Sequence, residues 1–279
     1  MSEPARPTQL EYWNSKVGEE WARQAGRTDK LFAGLTQATF KALDLQPGER
    51  VLDIGCGAGE TTLTAAQHVG ASGHAVGVDI SKPLLELARA RAKAITNIDF
   101  IEADVGVTNI PGAPFDAAFS RFGVMFFDNP IAAFTRIRAN LRPGGRLAFI
   151  CWRGFNENLW TSGPVRALTP MLPAPLPPPD ETLPGPMFFA DPDKAKSVLA
   201  AANWRDITVE AWDGPLLIGA TAEDAAGYLL KIGPSARAVA EHRLDPVKAE
   251  QLIVENLAKS QGPGGVSLAA ACWIVRASA

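Results

Sequence analysis

The 279-residue sequence predicts an α/β fold with a doubly wound, mostly parallel sheet of seven strands. Short apolar runs alternate with segments whose apolar residues recur at helical spacing, which is typical of parallel strands joined by helices. A glycine-rich turn follows the first apolar run, and the second run ends in an acidic residue. The run at 147–152 is apolar throughout, as in a strand that helices cover on both faces.

The individual elements follow from the same patterns. Strands are predicted at 50–54, 74–79, 98–102, 115–120, 147–152, 206–212 and 266–275. Helices are predicted within 9–43 and at 60–69, 81–92, 130–141, 191–202, 222–231 and 246–259. Ser81 is the expected N-cap of the third helical segment, and the turn at 143–145 is expected to end the fourth.

This strand order predicts a ligand site at one edge of the sheet. Right-handed crossovers bring the carboxyl ends of parallel strands to a common edge, where ligands bind in such folds. Polar residues at or just after four of the strands are therefore expected close together, namely Asp53, Asp79, Asp104 and Arg121.

The whole chain, 1–279, is predicted to form a single domain. Its parts are an N-terminal helical cap (1–43), a ligand-binding core (44–153), an insertion after strand five (154–203) and the last two strands with a helical insertion (204–279). Nine prolines between 164 and 186 argue against a regular helix or a central strand in that segment. We expect it to be a lid over the site, because long loops in compact domains are often functional; a surface linker is the alternative.

The composition narrows the class of protein. Apolar residues make up 47%, charged residues 20%, and the net charge of −3 comes without a basic block, which argues against a nucleic-acid partner. No apolar run approaches the ~20 residues of a membrane span. Three scattered cysteines and a polar start predict a cytoplasmic protein, and no cluster of metal ligands is evident. The oligomeric state stays open, and a homodimer is one state the sequence allows.

The glycine turn at 55–59 indicates what the site binds. Glycines at every second position let the backbone turn tightly and approach a ligand closely. Dinucleotide sites have the pattern G-x-G-x-x-G, but Glu60 takes the third glycine's place here. Carboxylates at Glu60 and Asp53 would repel a pyrophosphate and suit an ammonium or a sulfonium. Asp79, 22 residues after Gly57, suits the hydroxyls of a ribose.

Four ordered segments resemble the motifs of class I S-adenosylmethionine-dependent methyltransferases, namely 51–59, 77–81, 100–105 and 141–147. The nearest subgroup is the ubiquinone/menaquinone-biosynthesis-type small-molecule methyltransferases. The resemblance covers about 44–153 and is weak outside it. It implies a Rossmann-like fold, S-adenosyl-L-methionine as cofactor and a small molecule as methyl acceptor, and an antiparallel last strand beside strand five.

The resemblance also implies a set of cofactor-binding residues, namely Tyr12, Trp21, Asp53, Gly55, Cys56, Gly57, Asp79, Ile80, Asp104, Val105 and Arg121. Asp79 would bind the ribose, and Asp104 with Val105 would contact the adenine. Asp53 would either contact the methionine end directly or only orient the loop. Tyr12 and Trp21 would close over the cofactor, although ordinary helix packing is the alternative.

Arg121 could hold a carboxylate of the cofactor or of the acceptor, or form a salt bridge to a neighbouring acid. Trp152 and Trp160 could line the acceptor pocket or pack in the core. The tryptophans and leucines outside the core favour an apolar or aromatic acceptor.

Methyl transfer is an in-line displacement from an activated donor, so positioning and desolvation can supply much of the rate. A base is needed only for an acceptor that is protonated at working pH. No residue is assigned as catalytic, since none of the three histidines is placed as a base. Two alternatives stay open: a non-catalytic protein that binds an adenosyl ligand, and an NAD-dependent oxidoreductase.

Overall fold

The computed structural model describes residues 7–177 and 179–279. The first six residues of the predicted cap, and Pro178 of the predicted lid, lie outside the described residues. The strands of the described part are β1 (Arg50–Ile54), β2 (His74–Asp79), β3 (Ile98–Glu102), β4 (Phe115–Arg121), β5 (Leu141–Trp152), β6 (Arg205–Gly219), β7 (Gln261–Gly262) and β8 (Gly265–Ser278).

These strands form one sheet in the order β3-β2-β1-β4-β5-β8-β6, and the short β7 pairs with β8 off this path. Strands β1 to β5 pair in parallel. Strand β8 runs antiparallel to both of its long neighbours, β5 and β6. The predicted α/β class and its antiparallel last strand beside strand five are therefore confirmed, with one two-residue strand added to the seven.

Ten α-helices surround the sheet in the described part of the chain. They are α1 (Gln9–Trp13), α2 (Lys16–Leu43), α3 (Glu60–Val69), α4 (Lys82–Arg91), α5 (Pro130–Ala139), α6 (Leu159–Ala167), α7 (Pro192–Ala201), α8 (Ala222–Leu229), α9 (Gly233–Glu241) and α10 (Pro246–Leu257).

The buried residues of β1 show how the two faces of the sheet are covered. Val51 packs in one core cluster with Phe40 of α2 and Ala65 of α3. Leu52 and Ile54 belong to a second, larger cluster on the opposite side. Successive side chains of a strand point to opposite faces, so helices on both sides bury this strand from Val51 to Ile54.

Some predicted elements were wrong in detail. The helix predicted at 130–141 ends at Ala139, and the next strand already begins at Leu141, so the turn at 143–145 is not what ends the helix. Asn140 ends it, because its backbone N–H still bonds the Arg136 carbonyl while the chain enters the sheet. Helix α9 was not predicted.

The prediction that no regular helix includes the prolines of 164–186 was wrong for Pro164, which lies inside α6. Trp160, Pro164 and Val165 are all buried in this helix. Their burial outweighs the one backbone hydrogen bond that a proline cannot donate.

Helix α2 is fastened to the helical insertion that follows β6. The hydroxyls of Thr28 and Tyr228 share a buried hydrogen bond of 3.0 Å. Arg27 bonds the Asp224 carboxylate at 2.8 Å and the Ile218 carbonyl at 2.7 Å, and its guanidinium lies over the Tyr228 ring. Segments almost 200 residues apart therefore meet above the carboxyl edge of the sheet.

We expect Tyr228→Phe to lower the free energy of unfolding by about 1 kcal/mol, because it removes one buried hydrogen bond without changing the packing of the ring. Urea unfolding of the purified chain measures this change. Tyr12→Phe is the matched control, since the half-buried Tyr12 hydroxyl makes no hydrogen bond within the described residues. Equal unfolding midpoints for Tyr228→Phe and the wild type would contradict the expectation.

Candidate functional site

A cavity of about 550 Å³ opens at the carboxyl edge of β1, β2 and β4. Helices α1, α2, α6 and the start of α9 complete its walls. Nine of the predicted site residues line it, namely Trp21, Gly55, Cys56, Gly57, Asp79, Ile80, Asp104, Val105 and Arg121. Tyr12 and Asp53 are not among the lining residues.

The glycine turn contacts the turn after β4 backbone to backbone. Gly55 has a φ of +67°, and a Cβ on it would lie 2.8 Å from the Gly123 Cα. A side chain at Gly123 would in turn collide with the Ile54 carbonyl at 2.7 Å. Glycine is therefore required in both turns, which fixes the floor of the cavity.

The Asp79 carboxylate is held by two backbone N–H groups. Gly57 donates to one of its oxygens and Ser81 to the other, both at 2.8 Å. Burial raises the pKa of Asp79, and hydrogen bonds from the backbone at Ser81, Gly57 and Ile80 offset part of that rise. The carboxylate thus has a fixed orientation at the cavity wall, with lone pairs left for a ligand.

Asp53 lies behind the turn rather than in the cavity, and is only 1% exposed. One of its oxygens accepts hydrogen bonds from the Thr61 hydroxyl at 2.6 Å and the Thr62 hydroxyl at 2.7 Å. The other oxygen has no partner within the described residues. Burial raises the pKa of Asp53 to about 6 despite these bonds. Asp53 therefore anchors the start of α3 beneath the turn.

Arg121 forms the salt bridge that was the alternative to binding a carboxylate of the cofactor or the acceptor. It bonds Glu60 and the Thr36 hydroxyl at 2.7 Å each, and lies 3.6 Å from Asp29. Asp29 also pairs with Arg91 of α4 at 2.9 Å. Asp29 and Glu60 both line the cavity, so this end of it carries carboxylates already balanced by arginines.

At the N-terminal wall, Trp13 lines the cavity and its neighbour Tyr12 does not. The Trp13 ring packs edge-on against Trp21 at 5.8 Å and Phe126 at 5.7 Å between ring centres. Tyr12 and Trp13 are neighbours in α1, and sequence alone does not tell which of the two rings faces the cavity.

Short bonds hold α1 to the loop that follows Asp79. Ser81 is the N-cap residue of α4 as predicted, but its hydroxyl makes no capping bond and donates instead to the Trp13 carbonyl at 2.8 Å. The Asn14 amide donates to the Ile80 carbonyl and accepts from the Lys82 backbone N–H. The N-cap position of Ser81 is thus confirmed, whereas the partner of its hydroxyl depends on the approach of α1, a tertiary contact that sequence does not show.

Four rings, Phe32, Phe122, Trp152 and Trp160, form what we term the aromatic end of the cavity. Phe122 and Trp152 stack with ring centres 4.0 Å apart and planes inclined by 10°. Trp160 packs 5.1 Å from Trp152, and Phe32 packs against all three. Phe122 has a φ of +66°, a strained conformation that positions its ring in this cluster.

The titratable residues of the cavity offer no nucleophile. Burial, together with the charges of Asp79 and Asp53, raises the pKa of Cys56 well above its usual value, so its thiol stays protonated. Burial also raises the pKa of Tyr228, which does not line the cavity, to about 12. No cluster of three or more metal-ligating side chains occurs within 7–177 and 179–279, and no helix there is long and apolar enough to cross a membrane.

Comparison with known proteins gives the class to which this site belongs. Residues 51–145 match the family model described as a methyltransferase domain. Aklanonic acid methyltransferase DauC of Streptomyces sp. (strain C5) is 38% identical over 104 residues, which cover 37% of this chain and 47% of that protein. A demethylmenaquinone methyltransferase of Listeria monocytogenes is 28% identical over 123 residues, which cover 43% of this chain and 52% of that protein. The chain spans about half the length of the curated relatives that it matches.

Solved structures with the same fold have low sequence identity. The Haemonchus contortus phosphoethanolamine N-methyltransferase 2, solved with S-adenosylhomocysteine, matches 99% of this chain and 61% of its own, with a TM-score of 0.59 and 16% identity. YcgJ of Bacillus subtilis matches 87% of this chain and 97% of its own, with a TM-score of 0.56 and 16% identity. The [4+2]-cyclase SpnF matches 99% of this chain and 98% of its own, with a TM-score of 0.56 and 18% identity. These likenesses concern the fold alone.

The fold and the glycine turn define a Rossmann-like cofactor-binding domain of the methyltransferase type. Within it, residues 51–145 match a methyltransferase domain. The methyltransferase domain predicted from the four motifs is therefore confirmed for this segment.

The raised pKa of Asp53 makes stability depend on pH. The native pKa of about 6 lies above the ordinary 3.8, so the folded chain binds more protons between these values and stability falls as pH rises through the window. We expect the wild type to lose ~3 kcal/mol of its free energy of unfolding between pH 4 and pH 7 through this group, and Asp53→Asn not to show this loss.

Urea unfolding of wild type and Asp53→Asn at both pH values measures this difference, and all other groups cancel between the two proteins. The asparagine oxygen still accepts from Thr61 and Thr62. If the difference in free energy of unfolding between the two proteins does not change from pH 4 to pH 7, Asp53 is ionised in the native state throughout this range.

Proposed function

We propose that this chain transfers a methyl group from S-adenosylmethionine to a small apolar or aromatic molecule. The observation that carries the proposal is the Asp79 carboxylate, which Gly57 and Ser81 hold beside the glycine turn. A carboxylate fixed there is suited to accept hydrogen bonds from the two hydroxyls of a ribose. Relatives named for aklanonic acid and demethylmenaquinone support a small-molecule acceptor.

The residues around the turn fit an adenosyl sulfonium better than a dinucleotide. Asp29 and Glu60 offer carboxylates to an ammonium and a sulfonium, and the same carboxylates would repel a pyrophosphate. A Cβ on Gly57 would meet nothing nearer than Leu84 at 4.0 Å, so the backbone lies open to a ligand. Asp104 and Val105 are assigned to the adenine, as the motifs imply.

In this proposal the protein acts by binding and positioning. S-adenosylmethionine, when bound, supplies a methyl group already activated on sulfur. The rings of Trp13 and Trp21 shield this part of the cavity from water and present π faces suited to a sulfonium. The stacked Phe122 and Trp152 offer a flat surface to the acceptor. Positioning and exclusion of water then supply much of the rate.

The parts of the chain have separate roles in the proposed enzyme. The N-terminal cap and the core hold the cofactor. The proline-rich insertion acts as the lid, a role supported by Pro186 and Met187, which line the cavity. The location proposed is the cytoplasm, because all three cysteines are buried free thiols.

We expect S-adenosylmethionine and S-adenosylhomocysteine to bind with micromolar affinity, and NAD not to bind. Asp79→Ala should weaken both adenosyl ligands about 100-fold, since it removes charge-assisted hydrogen bonds to the ribose and the clamp on the glycine turn. Isothermal titration measures all three ligands. Asp99→Ala is the matched control, because the Asp99 carboxylate bonds His74 outside the cavity. Absence of adenosyl binding to the wild type would refute the proposal.

Catalysis is tested separately, by screening aromatic and aliphatic acceptors for release of S-adenosylhomocysteine. Turnover with an acceptor, absent without it, would support methyl transfer. Tight adenosyl binding without turnover on any acceptor would instead favour a non-catalytic adenosyl-binding protein.

A further inference from the structure

We propose that the aromatic end of the cavity holds an oxygen atom of the methyl acceptor, through the indole N–H of Trp160 and the uncapped first turn of α9. The inference rests on the proposed function and names the chemistry of its substrate. The ligand is a flat ring system that carries a ketone or phenol oxygen.

Trp160 brings a hydrogen-bond donor that the protein itself does not use. The side chain lines the cavity, is 5% exposed, and its indole nitrogen is buried without a partner in the described residues. Two other buried or half-buried tryptophans differ: Trp204 donates to the Phe134 carbonyl and Trp273 to the Ala190 carbonyl. A buried donor without a partner is costly, so a ligand atom that accepts from it gains affinity.

The polar side chains next to Trp160 are engaged elsewhere. The Asn158 amide oxygen accepts from the Ala271 N–H at 3.0 Å, and its nitrogen donates to backbone carbonyls that include Ala271. The Thr161 hydroxyl donates to the Asn158 carbonyl at 3.0 Å. Both line the cavity, but each is fixed by the backbone.

The start of α9 adds one backbone donor to the same cavity, the Gly233 N–H, because the Ile232 N–H bonds the Tyr228 carbonyl and Pro234 has no N–H. Its N-cap residue is Ile232, which has no side-chain acceptor, whereas Thr221 and Asp245 cap α8 and α10. Ile232, Gly233 and Pro234 line the cavity, and no atom lies within 4 Å of a Cβ on Gly233. Helix α9 packs on α6, which carries Trp160. The free N–H groups of a first turn are partly positive and favour an oxygen ligand.

Together these features define the class of ligand. Donors without acceptors disfavour an ammonium group at this end, although the rings by themselves would tolerate one. The stacked Phe122 and Trp152 select a flat molecule. A carbonyl or phenol oxygen on an aromatic ring satisfies both requirements.

The test uses two small probes of the same shape, indan-1-one and indane, titrated into the full chain with S-adenosylhomocysteine present. We expect the wild type to prefer the ketone about tenfold, as one hydrogen bond to a buried donor provides. Trp160→Phe keeps an aromatic ring and should lose most of this preference. Trp152→Phe, in the same ring cluster, should weaken both probes and keep the ratio.

A second variant tests α9 without touching Trp160. Ile232→Thr supplies a hydroxyl that accepts from the Ser235 N–H and reduces the positive potential of the first turn, so it should raise the melting temperature or leave it unchanged while reducing the preference for the ketone. Retention of the full preference in both Trp160→Phe and Ile232→Thr overturns the proposal. Equal binding of the two probes by the wild type, or no binding of either, also overturns it.

The outcome is separable from that of the proposed function. Titration of S-adenosylhomocysteine alone reports on the cofactor, and the ratio of the two probes reports on the aromatic end. Cofactor binding without a ketone preference refutes only the oxygen site. A ketone preference without cofactor binding refutes the proposed function and leaves the subsite.

Discussion

The Asp79 carboxylate is the contact on which the organisation of the site depends. Its bond from Gly57 sets the turn after β1, and its bond from Ser81 sets the loop after β2. That loop in turn carries α1, through the Ser81 hydroxyl and the amide of Asn14. This half-buried carboxylate thus aligns the floor of the cavity with its N-terminal wall. A carboxylate can do this because it accepts several hydrogen bonds while charged, and backbone donors offset its desolvation.

The two ends of the cavity have opposite polarity. Asp29 and Glu60 place carboxylates near the glycine turn, where arginines from β4 and α4 hold them in position. The aromatic end has donors from Trp160 and α9 and no comparable acid among its rings. A cationic methyl donor and an oxygen-bearing acceptor would therefore bind in a single orientation. In the reverse orientation the cation would meet the hydrogen-bond donors of the aromatic end, and the oxygen would meet the carboxylates.

Sequence was sufficient for the features that are local or periodic. The alternation of strands and helices predicted the sheet, and the glycine turn with Asp79 predicted its ligand edge. Pattern could not reveal contacts between distant segments. Arg121 was recognised as a residue of the edge, but its pairing with Asp29 of α2 depends on a helix 92 residues earlier in the chain. Trp13 was missed, and the sequence left open whether Asp53 contacts the ligand or only orients the loop, for the same reason: spacing indicates the face on which a residue lies, and tertiary packing decides what that face contacts.

The backbone contact between Gly55 and Gly123 has a consequence for how such a protein changes over time. The two turns meet without any side chain between them, so the platform under the cofactor is independent of the residues that flank it. Phe122 lies next to this contact and projects into the acceptor space instead. Exchange of Phe122 or its stacking partner can therefore alter which molecules are accepted while the platform stays constant. Substrate range is free to diversify by single substitutions, and the donor chemistry is inherited unchanged.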